Sequence, residues 1–172
     1  TNKLVNFANR PESPVKQFLS ASAIGFYGHR SREKLHEDSK PGEGFLAQLC
    51  QDWEGAALQW QKGSPCIIRV GIVFSEKGGA LESMVPPIQM GLGGPIGDGQ
   101  AIMSWIDHED LVALFCHALR ENLQGIYNGV APEPLSNAQI TLELGQHLNK
   151  GTFLPVPYLG VRALIGPMAK HI

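Results

Sequence analysis

The chain has 172 residues, 43% of them apolar, and a formal net charge of −2. A chain of this length is about one domain in size and buries a sizeable core when complete, while so small a charge supplies no electrostatic pull toward nucleic acid or an anionic membrane surface. No apolar run approaches the ~20 residues that a bilayer span requires, and no leader pattern opens the sequence, so a cytoplasmic location is expected. Cys50, Cys66 and Cys116 are odd in number, far apart and set among apolar residues. Buried free thiols in a reducing compartment are expected, rather than a zinc site.

In chain order, residues 1–9 read as the last turns of a helix closed by Pro11 and Pro14. A strand over 15–22 follows, then a polar loop through Pro41 and Gly42. From Glu43 to Gln61, Phe45, Leu46, Leu49, Trp53, Ala56, Ala57 and Trp60 recur at three- and four-residue spacing, as in an amphipathic helix. Residues 66–74 (Cys-Ile-Ile-Arg-Val-Gly-Ile-Val-Phe) form a β-branched apolar run expected of one strand buried on both faces. Gly78 and Gly79 make a turn, and a helix over 80–90 is interrupted by Pro86 and Pro87. Residues 91–99 hold five glycines and read as an irregular loop. Ile102–Ile106 is a short strand, Asp107 caps the next helix, and Gly125–Val130 is another strand. Ser136 and Gln139 have capping-box spacing for a helix over 137–149, and a weakly amphipathic helix follows Pro155 and Pro157. Strands alternating with helices indicate α/β architecture with a largely parallel sheet.

Residues 20–28, Ser-Ala-Ser-Ala-Ile-Gly-Phe-Tyr-Gly, are the stretch richest in chemistry. Small side chains at Ser20 and Ala21 let a ligand approach the backbone at the carboxyl end of a strand, where α/β folds place ligands. Gly71 interrupts the apolar run 66–74, and a glycine inside a strand marks close approach of a ligand or a bulge. Arg69 in that run needs a partner for its charge, either a structural carboxylate or a substrate. The loop 91–99, Gly94 included, reads as a substrate-side loop or a plain connector, since it lacks the Gly-Lys-Ser/Thr ending of a phosphate loop. The run Asp107-His-Glu-Asp110 is explained by capping and solvation, and no metal site is expected there.

Taken together, 20–28, Arg69-Val-Gly-Ile-Val73, Trp105-Ile-Asp-His-Glu-Asp-Leu-Val112 and Ile126-Tyr-Asn-Gly-Val130 resemble, in order and spacing, the extended short-chain dehydrogenases/reductases. Gly91-Leu-Gly-Gly-Pro-Ile-Gly97 and Asn128-Gly-Val-Ala-Pro132 resemble an atypical epimerase-family subgroup, the nucleoside-diphosphate-sugar epimerase-like proteins, some of them labelled cell division inhibitors. The resemblance implies a Rossmann-like fold with flanking helices, in which residues 1–134 are the later part of an NADP-binding domain. It implies that residues 135–172 begin a small C-terminal lobe, and that the first half of the sheet, with its glycine fingerprint, is not among these residues. Dinucleotide binding by these residues alone is accordingly expected to be weak or absent.

The resemblance further implies cofactor contacts at Ser20, Ala21, Gly71, Ile72 and Val73, and a substrate side that includes Arg69, Gly94 and Trp105. It implies a homodimer and a nucleotide-sugar or small carbonyl substrate. Family members use a Tyr-x-x-x-Lys pair, because a phenol of pKa near 10 is a poor base unless a cation assists it. Counting back from Glu54, the Lys position falls on Cys50 and the Tyr position on Leu46, or Phe45 with a one-residue slip, and none of these can transfer the proton. Ser22 is then either the carbonyl-polarising serine or a strand-end serine bonded to backbone. Tyr27 is either a substitute proton donor or a packing tyrosine. Two functions follow: an NADP(H)-dependent oxidoreductase or epimerase, and a non-catalytic dinucleotide-binding sensor.

Overall fold

The computed structural model describes residues 1–156, which divide into two compact units. The first comprises 1–71 and 108–130, the second 72–107 and the residues from 131 onward. The helix expected after Pro157 lies outside the described residues.

The first unit is built on a three-stranded parallel sheet of β1 (Leu19–Ala23), β2 (Cys66–Val70) and β7 (Gly125–Gly129), with β2 in the middle. Its helices are α1 (Asn2–Ala8), α2 (Phe45–Ala57) and α4 (His108–Arg120). The period-two alternation of a strand sorts β2 cleanly. Cys66 and Ile68 are buried on the face that packs against Ala118, Leu114 and Phe115 of α4. Ile67 and Arg69 point to the other face, where α2 buries Ala47, Cys50, Glu54 and Ala57 at three- and four-residue spacing. β2 is thus buried on both sides, as a central parallel strand requires.

Three expected boundaries shift, each for a local reason. α2 starts at Phe45 because Gly44, at φ 99°, cannot be helical, and it ends at Ala57, after which Trp60 turns into a separate cluster with Val5 and Ala8. β1 starts at Leu19 because its partner β2 starts at Cys66, directly opposite. The run 66–74 is two strands rather than one: it breaks at Gly71, whose N–H donates to the Gly129 carbonyl at 2.9 Å.

The second unit holds the continuation, β3 (Ile72–Ser75), flanked by β4 (Gly78–Gly79), antiparallel, and β6 (Trp105–Asp107), parallel. The expected strand 102–106 also divides. β5 (Ile102–Met103) pairs antiparallel with β8 (Leu135–Ser136), while β6 pairs with β3. Helix α3 (Ala80–Gln89) runs through Pro86 and Pro87 without the expected interruption. It ends in a Schellman turn, Leu92 N–H to Pro87 O and Gly91 N–H to Ile88 O at 2.9 Å each, with Gly91 at φ 73°. Helix α5 (Asn137–His147) opens on the capping box expected from sequence: Ser136 Oγ accepts from Gln139 N–H, and Gln139 Oε1 accepts from Ser136 N–H.

Candidate functional site

Ser22, Arg69 and Asn128 are register partners across β1, β2 and β7, one residue before the carboxyl end of each strand. Side chains in register on parallel strands share a face, so this row presents a hydroxyl, a guanidinium and an amide side by side above α2. Arg69 is 2% exposed. Its Nε and Nη2 donate to Glu54 Oε1 and Oε2 at 2.9 and 2.8 Å, a bidentate pair. Its Nη1 donates to Tyr27 Oη at 2.9 Å and to the Glu37 carbonyl at 3.0 Å. The guanidinium also lies 3.5 Å from the Phe26 ring centroid and 4.9 Å from that of Tyr27.

The remaining polar atoms of the row close on the same group. Ser22 Oγ donates to Glu54 Oε1 at 2.7 Å, and Tyr27 Oη donates to Asn128 Oδ1 at 2.6 Å. Burial opposes the charge on Arg69, but the bonds to Glu54 and Tyr27 outweigh it and hold the guanidinium above its ordinary value. A buried pair this well satisfied specifies geometry, and removal of either partner strands a charge in the interior.

Arg69 therefore finds its partner in a structural carboxylate, one of the two alternatives open in the sequence. Glu54 is the acid that sequence reasoning left unassigned, and its position was available. It sits four residues after Cys50 and three before Ala57, on the buried arc of α2, where an acid is tolerated only opposite a buried cation. Asn128 was hidden because the strand 125–130 reads only as pattern. Glu37 was hidden because no periodicity marks a loop.

The other residues singled out from sequence are placed as follows. Ser20 is half-buried in β1 with its Oγ on the Ala21 carbonyl at 3.2 Å, and Ala21 is exposed. Gly71 follows β2 in the first unit, while Ile72 and Val73 lie in β3 of the second, opposite Trp105 and Ile106. Trp105 stacks on Phe74 with ring centroids 5.6 Å apart and donates from Nε1 to the Glu133 carbonyl at 3.1 Å. Gly94 is buried beneath the Leu154 carbonyl, where a side chain could not fit. Leu46 and Cys50, the positions counted back from Glu54, border the turn after β1: a Cβ on Gly25 would stand 3.5 Å from Leu46 Cβ and 3.8 Å from Cys50 Sγ. Cys50 and Cys66 are buried free thiols, but Cys116 is exposed, because it lies on the side of α4 away from Ala118. An open groove of about 600 Å³ in the second unit is lined by Leu142, Gln146, Lys150 and Phe153, and none of the residues above borders it.

The sequence model of the NAD dependent epimerase/dehydratase family matches residues 1–129. The chain belongs to that family. It is similar to the epimerase family protein ML0860 of Mycobacterium leprae, 41% identical over 161 residues that cover 92% of this chain and 52% of the relative. It is similar to the human epimerase family protein SDR39U1, solved with NADPH, at 33% identity and a TM-score of 0.84, over 94% of this chain and 55% of that one. A nucleoside-diphosphate sugar epimerase from Corynebacterium glutamicum matches at 29% identity and a TM-score of 0.72, over 99% of this chain and 42% of that one. The chain spans about half the length of the curated relatives it matches. These likenesses identify an atypical extended short-chain dehydrogenase/reductase with a Rossmann-like α/β fold.

Proposed function

We propose that these residues are part of a longer protein that binds NADP(H) across the carboxyl ends of β1 and β2. The observation that carries the reading is the aligned row Ser22–Arg69–Asn128 at the carboxyl ends of three parallel strands, the place where open α/β sheets take ligands. A human relative solved with NADPH supports the choice of dinucleotide. Ser20, Ala21 and Gly71 are the contacts assigned to the first unit. Ile72 and Val73 are proposed as contacts in their own right, and Gly94 and Trp105 as substrate-side residues. In this reading residues 1–134 belong to the dinucleotide domain and 135–172 open the C-terminal lobe. The substrate class is a nucleotide sugar or small carbonyl compound, and the working unit is a homodimer.

A second reading, binding without turnover, is favoured by two observations. The proton of Ser22 is held by Glu54 and that of Tyr27 by Asn128. A hydroxyl whose proton is committed to a buried carboxylate polarises a substrate carbonyl only by giving up that bond. At the two helix positions where the family's acid and its cation are counted, Leu46 and Cys50 supply neither.

The test uses the full-length protein. NADPH binding is followed by its fluorescence, then cofactor oxidation is screened against carbonyl compounds and nucleotide sugars. Binding is expected. Turnover that is lost in Ser22→Ala supports the enzyme, binding with no turnover supports the sensor, and absence of binding removes both.

A further inference from the structure

The connection between the turn at 24–27 and α2, residues 28–44, carries no helix or strand and is longer than most loops in a compact domain. Its two ends are pinned together. Gly42 N–H donates to the Phe26 carbonyl at 2.9 Å, and Gly42 lies so close to the Tyr27 carbonyl that a Cβ there would stand 2.1 Å from it. Between those ends most of its side chains are exposed, and Leu35 is the apolar anchor that packs on Phe26, Tyr27 and Cys50.

Glu37 ties its middle to the sheet twice. The Glu37 carbonyl accepts from Arg69 Nη1 at 3.0 Å, and its carboxylate Oε1 accepts from the backbone N–H of Asn128 at 2.8 Å. The segment therefore meets the row at its β2 and β7 members, the two residues that Tyr27 Oη also bonds. The carboxylate bond is solvent-exposed and made by an exposed side chain, so it is the weaker of the two ties and the one that opens first.

We propose that residues 28–44 form a strap closed across the carboxyl ends of β2 and β7, and that Glu37 is the clasp whose release admits the ligand to the row beneath. The proposal rests on the dinucleotide reading above and adds a gate to that site. With the clasp shut, the edge amide of Asn128 and the middle of the strap are both protected. With the carboxylate tie open, the strap is still held by Leu35, the Gly42 tie and the Glu37 carbonyl on Arg69, and the Asn128 end of the row is the part that faces solvent. Glu37 acts through the strap and touches no reacting atom, so it is a positioning residue.

The test is hydrogen exchange and NADPH association kinetics on the full-length protein, in the wild type, Glu37→Ala and Glu37→Gln. Loss of a hydrogen bond to a charged acceptor is expected to raise exchange over 29–41 and at Asn128 about tenfold in Glu37→Ala. Peptides from α2 and β2 should stay at wild-type rates, and Glu37→Gln, which keeps an acceptor oxygen, should fall between. The NADPH association rate should rise in the same order. Unchanged exchange over 29–41 in Glu37→Ala overturns the clasp. Raised exchange with an unchanged association rate overturns the gate. A wild type that binds no NADPH removes the dinucleotide reading and the gate with it, and the exchange data distinguish that result from failure of the clasp.

Discussion

The two units of this chain are held together by different means. Among the described residues, the first concentrates most of the buried apolar side chains and, at its centre, a charged group satisfied on every side, Glu54–Arg69 with Ser22 and Tyr27. The second has short strands, β3 half-buried throughout, and backbone approaches that only glycine permits, as at Gly79 and Gly94. Stability in the first depends above all on keeping a charge paired, with a tight glycine approach at Gly42, and in the second on keeping side chains out of tight places. A parallel sheet covered on both faces can exclude water from an ion pair. Two- to four-residue strands cannot, and their shape is set by turns and caps.

That contrast can be broken from either side. Glu54→Ala leaves the Arg69 guanidinium buried without its bidentate partner and should cost about 3–5 kcal/mol in urea unfolding. Replacing both partners by apolar residues, Glu54→Leu with Arg69→Met, should recover most of that loss, and recovery below half would mean the pair is not the source. In the second unit, Gly79→Ala forces a Cβ into a conformation reserved for glycine (φ 70°, ψ −152°), 2.6 Å from the Val73 carbonyl. About 1–3 kcal/mol should be lost, read as a lower melting temperature. Ser136→Ala removes the box that opens α5 and should cost about 1 kcal/mol, with Ser136→Asp restoring it.

The smallest effect concerns Cys66, whose thiol is pushed up by burial from an ordinary value of 9.0. Since the folded chain holds this proton more tightly than the unfolded one, the contribution to stability is complete below pH 9.0 and is lost as pH rises through the folded value. Cys66→Ala should lack this component of the alkaline fall, and identical alkaline slopes in the two proteins would contradict it.

Sequence patterning captured the α/β class, the amphipathic face of α2 and the α5 capping box, because periodicity and cap chemistry are local. It also established that Arg69 needs a partner, since a cation in an apolar run is expensive anywhere. It did not identify that partner, although Glu54 lay on the buried arc of α2, because the arc was read for its apolar members. Gly71 stands out as an interruption of 66–74, but a continuous apolar run says nothing about which sheet each part of it joins, so the division into β2 and β3 is not legible there. Pro86 and Pro87 point to an interruption of the helix over 80–90, but α3 runs through them to a glycine-dependent stop at Gly91. Glu37 left no trace in pattern, since its role comes from where a loop is pinned.

The central claim is that the carboxyl ends of β1 and β2 face a dinucleotide, and hydrogen exchange of the full-length protein with and without NADPH tests it most directly. Protection on adding NADPH should appear over 19–23 and 69–71 and be absent from the α5 peptide 137–147. Protection confined to other segments, with 19–23 and 69–71 unaltered at saturating NADPH, would contradict the account.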